Sequence, residues 1–264
     1  MVLVSGFPVA VLVVVGLVVL DRAMPPRARD IAWLVGSGTV PDDEADVVRR
    51  YLGRHRRHRT IGGLFGVLMA GVAEARVHDS VSLPVLLFGC LAGVLVGALS
   101  AESYRLTARA AASGVASLEP REPAPLPGVV RNARVLLAVS ALVAIAVRLG
   151  AGLTWPLWLV AGGVVISALA EVTRARIVGR RRPVLSFRAA ELDARIRAFA
   201  GRSVAHLELA AALLVAAGVV ASPAGDGQLL GLLRFVLVAG AFVWALVSLH
   251  GAAPRPPYSW RQPS

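Results

Sequence analysis

Leu83 to Ala101 reads LPVLLFGCLAGVLVGALSA, nineteen consecutive residues without a charged side chain. As an α-helix, a stretch of this size would be roughly 28 Å long, close to the hydrocarbon thickness of a bilayer. Six further apolar runs lie along the chain, at residues 2–20, 61–77, 135–149, 155–170, 204–221 and 229–249. The sequence therefore predicts an all-α polytopic membrane protein, a single bundle of about seven transmembrane helices over residues 1–264.

Composition excludes a soluble domain. Of the 264 residues, 56% are apolar and 17% are charged, and the mean hydropathy is +0.69, which leaves too little polar surface to cover a water-soluble core. All 28 basic residues are arginine, and together with abundant Ala, Val and Gly this is typical of a high-GC bacterial genome. Cys90 is the only cysteine, so no intrachain disulfide can form.

The placement of the arginines predicts an orientation. Twenty-three of them fall in three connecting segments: nine in residues 21–60, five in 102–134 and nine in 171–203. The positive-inside rule places these segments in the cytoplasm, so an even number of crossings must join each pair. The weak run at 61–77 must then cross the membrane, which gives one lone helix followed by three helical hairpins. The predicted location is the bacterial cytoplasmic membrane, with the N-terminus on the outer side and the C-terminus in the cytoplasm. The run at 2–20 is interpreted as a retained span, because it lacks a basic start and a cleavage site.

Glycines at four-residue spacing mark a close helix contact. Gly89, Gly93 and Gly97 lie in the third run, and Gly62 and Gly66 lie in the second. This spacing puts them on one helix face, where a neighbouring backbone can approach. Ordinary packing between the second and third runs is the favoured interpretation, and a homodimer contact or a sliding surface in a transporter is the alternative.

Four polar side chains near the ends of the runs are candidates for a polar core: Glu102, Glu171, His206 and Glu208. Glu102 and Glu171 each begin an A-E-x-x-R pattern, repeated sixty-nine residues apart, which hints at a duplicated two-helix unit. Glu208 is the deepest acid and should face protein or a cavity rather than lipid. A proton or cation site is one interpretation, and ion pairs at the membrane border are the other.

Two basic clusters adjoin the runs on the cytoplasmic side, Arg54, Arg56, Arg57 and Arg59, and Arg180, Arg181 and Arg182. The net charge of +12 could indicate nucleic acid. Since the arginines flank apolar runs, anionic lipid headgroups of the inner leaflet are the expected partner instead. The clusters could also serve only to fix topology. A homo-oligomer or a membrane-protein partner stays open.

No catalytic pattern stands out. The chain has no H-E-x-x-H motif and no lysine for a phosphate-binding loop. Ser203, after Gly201 and Arg202, is interpreted as the N-cap of the sixth run rather than as a nucleophile. We therefore expect no catalytic, cofactor or metal site. The leading hypothesis is a non-enzymatic membrane component or scaffold, a small-solute or ion transporter is the alternative, and an intramembrane enzyme comes third.

The segments RRYLGRHRRHRTIGG (Arg49 to Gly63) and RRRPVL followed by an acidic-basic helix (Arg180 to Arg197) resemble parts of uncharacterised multi-pass membrane proteins of actinobacteria. The resemblance covers about a quarter of the chain. It implies a bacterial multi-pass architecture and carries no activity, ligand or catalytic residue.

Overall fold

A computed structural model describes residues 26–36, 42–77, 83–103, 126–179, 187–222 and 228–253. These residues form seven helices, and the described ranges contain no strand. The helices are α1 (Ala28–Val35), α2 (Asp42–Val77), α3 (Leu83–Ser103), α4 (Pro127–Ala151), α5 (Trp155–Gly179), α6 (Phe187–Val220) and α7 (Gln228–Gly251). The predicted all-α class is thus confirmed, while the predicted span at 2–20 lies outside the described residues.

Five of the helices, α3 to α7, are long and apolar enough to cross a membrane. They contain the predicted runs at 83–101, 135–149, 155–170 and 229–249, and the run at 204–221 except for its last residue. The run at 61–77 forms the second half of α2, which is not among the five. The described part of the protein is therefore helical and contains five helices that could span a membrane, which is consistent with a membrane protein.

The helices fall into two compact units. One contains α1, α2, α3 and the first part of α6, up to Ile196. The other contains α4, α5, α7 and the rest of α6, from Arg197. Each unit carries its own buried polar cluster.

In the first unit, α2 is one continuous helix of 36 residues. It joins the charged segment at its start to the apolar run at its end, and Gly53, Gly62 and Gly63 do not interrupt it. A glycine costs a helix only about 1 kcal/mol relative to alanine, and packing against a neighbour offsets that cost. The short helix α1 lies beside α2 and ends at Gly36, whose φ of +74° is the left-handed conformation of a helix C-cap.

In the second unit, α6 continues unbroken through Gly201. The interpretation of Ser203 as an N-cap was therefore wrong, since Ser203 lies in the middle of the helix. Its buried hydroxyl instead donates a hydrogen bond to the carbonyl oxygen of Ala252, 2.9 Å away, just beyond the end of α7. Ala144, Val160, Val215 and Val219 form the apolar core between α4, α5 and α6.

Candidate functional site

The crossing of α2 and α3 is built on the five predicted glycines. A Cβ added to Gly62 would lie 2.9 Å from the Cα of Gly97, and one added to Gly93 would lie 2.9 Å from the Cα of Gly66. Each would also clash with a backbone carbonyl oxygen of the opposite helix. Gly89 faces Gly66 across the same contact. The two backbones therefore touch within one chain, in the manner of small-residue contacts between membrane helices.

Next to this crossing lies a buried polar triad, Tyr51, His55 and Glu102. Tyr51 Oη donates to Glu102 Oε1 at 2.6 Å, and His55 Nε2 lies 2.6 Å from the same oxygen. His55 is 0% exposed and Glu102 is 1% exposed. A carboxylate in this position accepts both bonds, so His55 donates through Nε2. Charge-assisted bonds of this kind contribute about 1.5–3 kcal/mol each, and they join α2 to α3.

A second link between α2 and α3 lies one turn further along α2. His58 Nδ1 and Ser100 Oγ are 2.7 Å apart, and Ser100 Oγ donates to the carbonyl oxygen of Gly97 at 3.1 Å. Because the serine has one hydroxyl proton, His58 must donate through Nδ1. Burial lowers the pKa of His58, and the charges of Arg57, Arg54 and His55 lower it further. His58 is therefore neutral at pH 7, which suits its place beside several arginines.

The second unit holds a buried network around Glu208. Ser167 Oγ donates to Glu208 Oε1 at 2.7 Å, and Arg174 Nη2 donates to Glu208 Oε2 at 2.5 Å. Arg174 also donates to Glu171 at 2.7 Å. Arg134 forms an ion pair with Glu171, and its Nε lies 3.9 Å from Glu208 Oε1. Two arginines thus neutralise two glutamates, and Glu208 is only 3% exposed.

His206 does not join this network, although it is two residues from Glu208. Its ring packs on Gly251 at the end of α7, since a Cβ on that glycine would lie 3.5 Å from the imidazole. Among the described residues its buried Nδ1 has no hydrogen-bond partner. The four candidate polar residues thus divide between the units, with Glu102 in the first and Glu171, His206 and Glu208 in the second.

The basic residues of α2 differ in their surroundings. Arg56 donates to Asp30 of α1 at 2.9 Å. The guanidinium of Arg54 lies over the Tyr51 ring, 5.8 Å from its centroid, while Arg57 is exposed and Arg59 half-buried. Of this cluster, Arg57 is thus the most open to a headgroup. Arg180, Arg181 and Arg182 lie outside the described residues.

Sequence reasoning missed the partners of the acids. Tyr51 and His55 stand four residues apart on one helix, and Ser167 and Arg174 are nearly two turns apart on another. Their spacing shows that each pair shares a face, but it does not show which acid that face meets. Arg174 was identified only through its position three residues after Glu171, and its bond to Glu208 depends on how α5 packs on α6.

In the two clusters, Glu102 Oε1 and both oxygens of Glu208 are already occupied by donors from the protein. Within the described part of the chain, no group of three or more His, Cys, Asp or Glu residues is placed to hold a metal ion. Comparison of the chain with known protein families, with curated proteins and with solved structures finds no significant match.

Proposed function

We propose that this chain is a non-enzymatic component or scaffold of the bacterial cytoplasmic membrane that contacts anionic lipid with its inner face. The observation that carries the proposal is the outward-facing apolar surface of α4, α5 and α7. Leu142, Trp158 and Phe235 are 68%, 76% and 70% exposed, one on each of these helices. Large apolar side chains exposed at this density would aggregate in water, and lipid acyl chains are their natural cover.

The state of the buried acids supports a structural role over a transport role. A transporter would need Glu208 or Glu102 to exchange its partners during a cycle. Both oxygens of Glu208 accept hydrogen bonds, one from Ser167 and one from Arg174. Glu102 accepts two bonds from α2. Acids held in this way suit the joining of helices, so the small-solute or ion transporter remains the weaker alternative.

The proposed topology is seven crossings, with the N-terminus outside, residues 21–60, 102–134 and 171–203 in the cytoplasm, and the C-terminus inside. Reporter fusions test it. We expect an alkaline phosphatase fused after residue 79, 152 or 225 to be active, and one fused after residue 115 or 264 to be inactive, because the enzyme folds only outside the cytoplasm. An inactive fusion after residue 79 would mean that 61–77 does not cross, and the orientation scheme would fail.

Lipid dependence tests the proposed function. We expect phosphatidylglycerol to raise the thermal unfolding midpoint of the detergent-purified protein more than phosphatidylcholine does. A bound lipid stabilises the native state, by about 2.7 kcal/mol when it is present at one hundred times its Kd. The difference should shrink in 1 M salt, since the Debye length there falls to about 3 Å. Equal effects of the two lipids would contradict a role at an anionic surface.

A transport assay separates the two candidates. Proteoliposomes carrying the protein and an internal pH dye should hold an imposed proton gradient as well as empty liposomes do. If the wild-type protein dissipates the gradient and a Glu208→Gln variant that is still helical by circular dichroism does not, the result would favour the transporter and contradict the scaffold.

A further inference from the structure

One face of α2 carries arginines and large apolar side chains in a single line. In steps of three or four residues, the line runs through Arg50, Arg54, Arg57, Ile61, Phe65, Leu68 and Val72, here called the α2 stripe. At 3.6 residues per turn these positions fall within about 80° of one another. The stripe begins basic and ends apolar, and the change occurs between Arg57 and Ile61.

The stripe is left uncovered by the rest of its unit. Its four apolar members are between 38% and 61% exposed, with Phe65 the most exposed. Gly62 and Gly66, about a third of a turn from the centre of the stripe, face α3. Arg56, on another side of the helix, faces α1 through Asp30. Both neighbours of α2 in this unit thus pack on other faces.

Two of the three arginines of the stripe are open to an anion, and the third, Arg54, has contacts within the protein. Among the described residues, Arg50 and Arg57 have no ion-pair or hydrogen-bond partner. Both are exposed, and Arg54 is half-exposed beside them with its guanidinium over Tyr51. Arg49, which points elsewhere, is paired with Asp46. In the first half of α2, the exposed arginines that lack a partner among the described residues, Arg50 and Arg57, therefore both lie on the stripe.

The dimensions of the stripe fit one leaflet. Ile61 to Val72 rises about 16 Å along the helix, and half of a bilayer's hydrocarbon core is about 15 Å. Arg57 lies one turn before Ile61, about 6 Å from it along the axis, where a phosphate would sit. A second protein helix would have to supply acids opposite three arginines and apolar side chains beyond them. An anionic phospholipid has both parts in this order.

We propose that the α2 stripe is a binding site for one anionic phospholipid of the inner leaflet. Its phosphate lies against Arg54 and Arg57, and an acyl chain lies along Ile61, Phe65, Leu68 and Val72. Arginine suits this role because its planar donors bind phosphate oxygens in pairs. The inference rests on the proposed function, since it requires the start of α2 to face the cytoplasm.

The test measures lipid binding at a labelled position. In a Cys90→Ser background, Phe65→Cys carries a bimane fluorophore, and phospholipids brominated on their acyl chains quench it. We expect phosphatidylglycerol to quench at a lower lipid fraction than phosphatidylcholine. Arg54→Gln with Arg57→Gln should weaken the phosphatidylglycerol effect about 25-fold, because each arginine at an anionic surface contributes about a five-fold change in affinity. Arg54→Lys with Arg57→Lys should retain most of it.

Arg49→Gln is the matched control, since it removes the same charge from another face of α2 and should leave quenching unchanged. If the wild-type arginines give no preference for phosphatidylglycerol here or in the unfolding assay, the proposed function itself fails. If the preference exists but Arg54→Gln with Arg57→Gln behaves like Arg49→Gln, the stripe is the wrong site. Shielding of the bimane from both lipids would mean that a protein helix covers the stripe, which also overturns the proposal.

Discussion

Gly93→Ala is expected to destabilise the α2–α3 pair by about 2–4 kcal/mol, although alanine is the better helix former. The added methyl would lie 2.9 Å from the Cα of Gly66 and would clash with the carbonyl oxygen of Gly62. Both obstacles are backbone, so no rotamer change relieves them and the helices must separate. Separation would lengthen the hydrogen bonds of His55 and Tyr51 to Glu102, which lie beside the crossing.

Gly53→Ala on α2 provides the control. A Cβ at Gly53 meets nothing within 4 Å. The same substitution there should stabilise the protein by up to about 1 kcal/mol through helix propensity. Thermal unfolding in detergent, followed by circular dichroism, compares the two variants with the wild type. Equal midpoints for Gly93→Ala and Gly53→Ala would show that the backbones of α2 and α3 are not in contact.

The glycine contact illustrates what sequence can predict in this protein. Four-residue glycine spacing in two neighbouring apolar runs is a local pattern, and its physical meaning does not depend on the rest of the fold. Helical class and membrane character follow from run length and hydropathy in the same way. These properties depend only on the pattern of consecutive residues, so they can be inferred without knowing which helices pack together.

The polar clusters show where such inference stops. Spacing places Arg105 within reach of Glu102 along one helix, but Arg105 lies outside the described residues, and the partners that the structure shows for Glu102 are Tyr51 and His55, about fifty residues earlier. Local spacing identifies neighbours on one helix, whereas a buried acid is satisfied by whichever donors another helix brings to it. The continuity of α6 through Gly201 was missed for a related reason, because packing outweighs the weak helix-breaking tendency of a single glycine.

Glu208→Gln is expected to destabilise the second unit by about 3 kcal/mol or more, because it leaves Arg174 buried with one carboxylate instead of two. Glu208 is 3% exposed, and its Oε2 accepts from Arg174 at 2.5 Å. Glutamine has the size of glutamate and can still accept a hydrogen bond from Ser167, so the loss of stability reports the effect of the missing charge. Glu171→Gln removes a carboxylate from the same arginine at a position that is half-exposed, where solvent compensates. Its effect should stay below about 1 kcal/mol.

A double variant decides whether pairing is the cause. Arg174→Met combined with Glu208→Gln removes both charges and leaves an apolar side chain of similar length on α5. If the cost of Glu208→Gln arises because the buried guanidinium of Arg174 has lost one of its two carboxylates, the double variant should unfold at a higher temperature than Glu208→Gln alone. Additive losses would instead mean that each side chain acts through separate contacts, and a Glu208→Gln variant as stable as the wild type would mean that the ion pair contributes nothing to stability. Comparison of the wild type, the two single variants and the double variant gives an interaction energy. This energy measures how much the ion pair between Arg174 and Glu208 stabilises the packing of α5 on α6, which is the structural role proposed for Glu208.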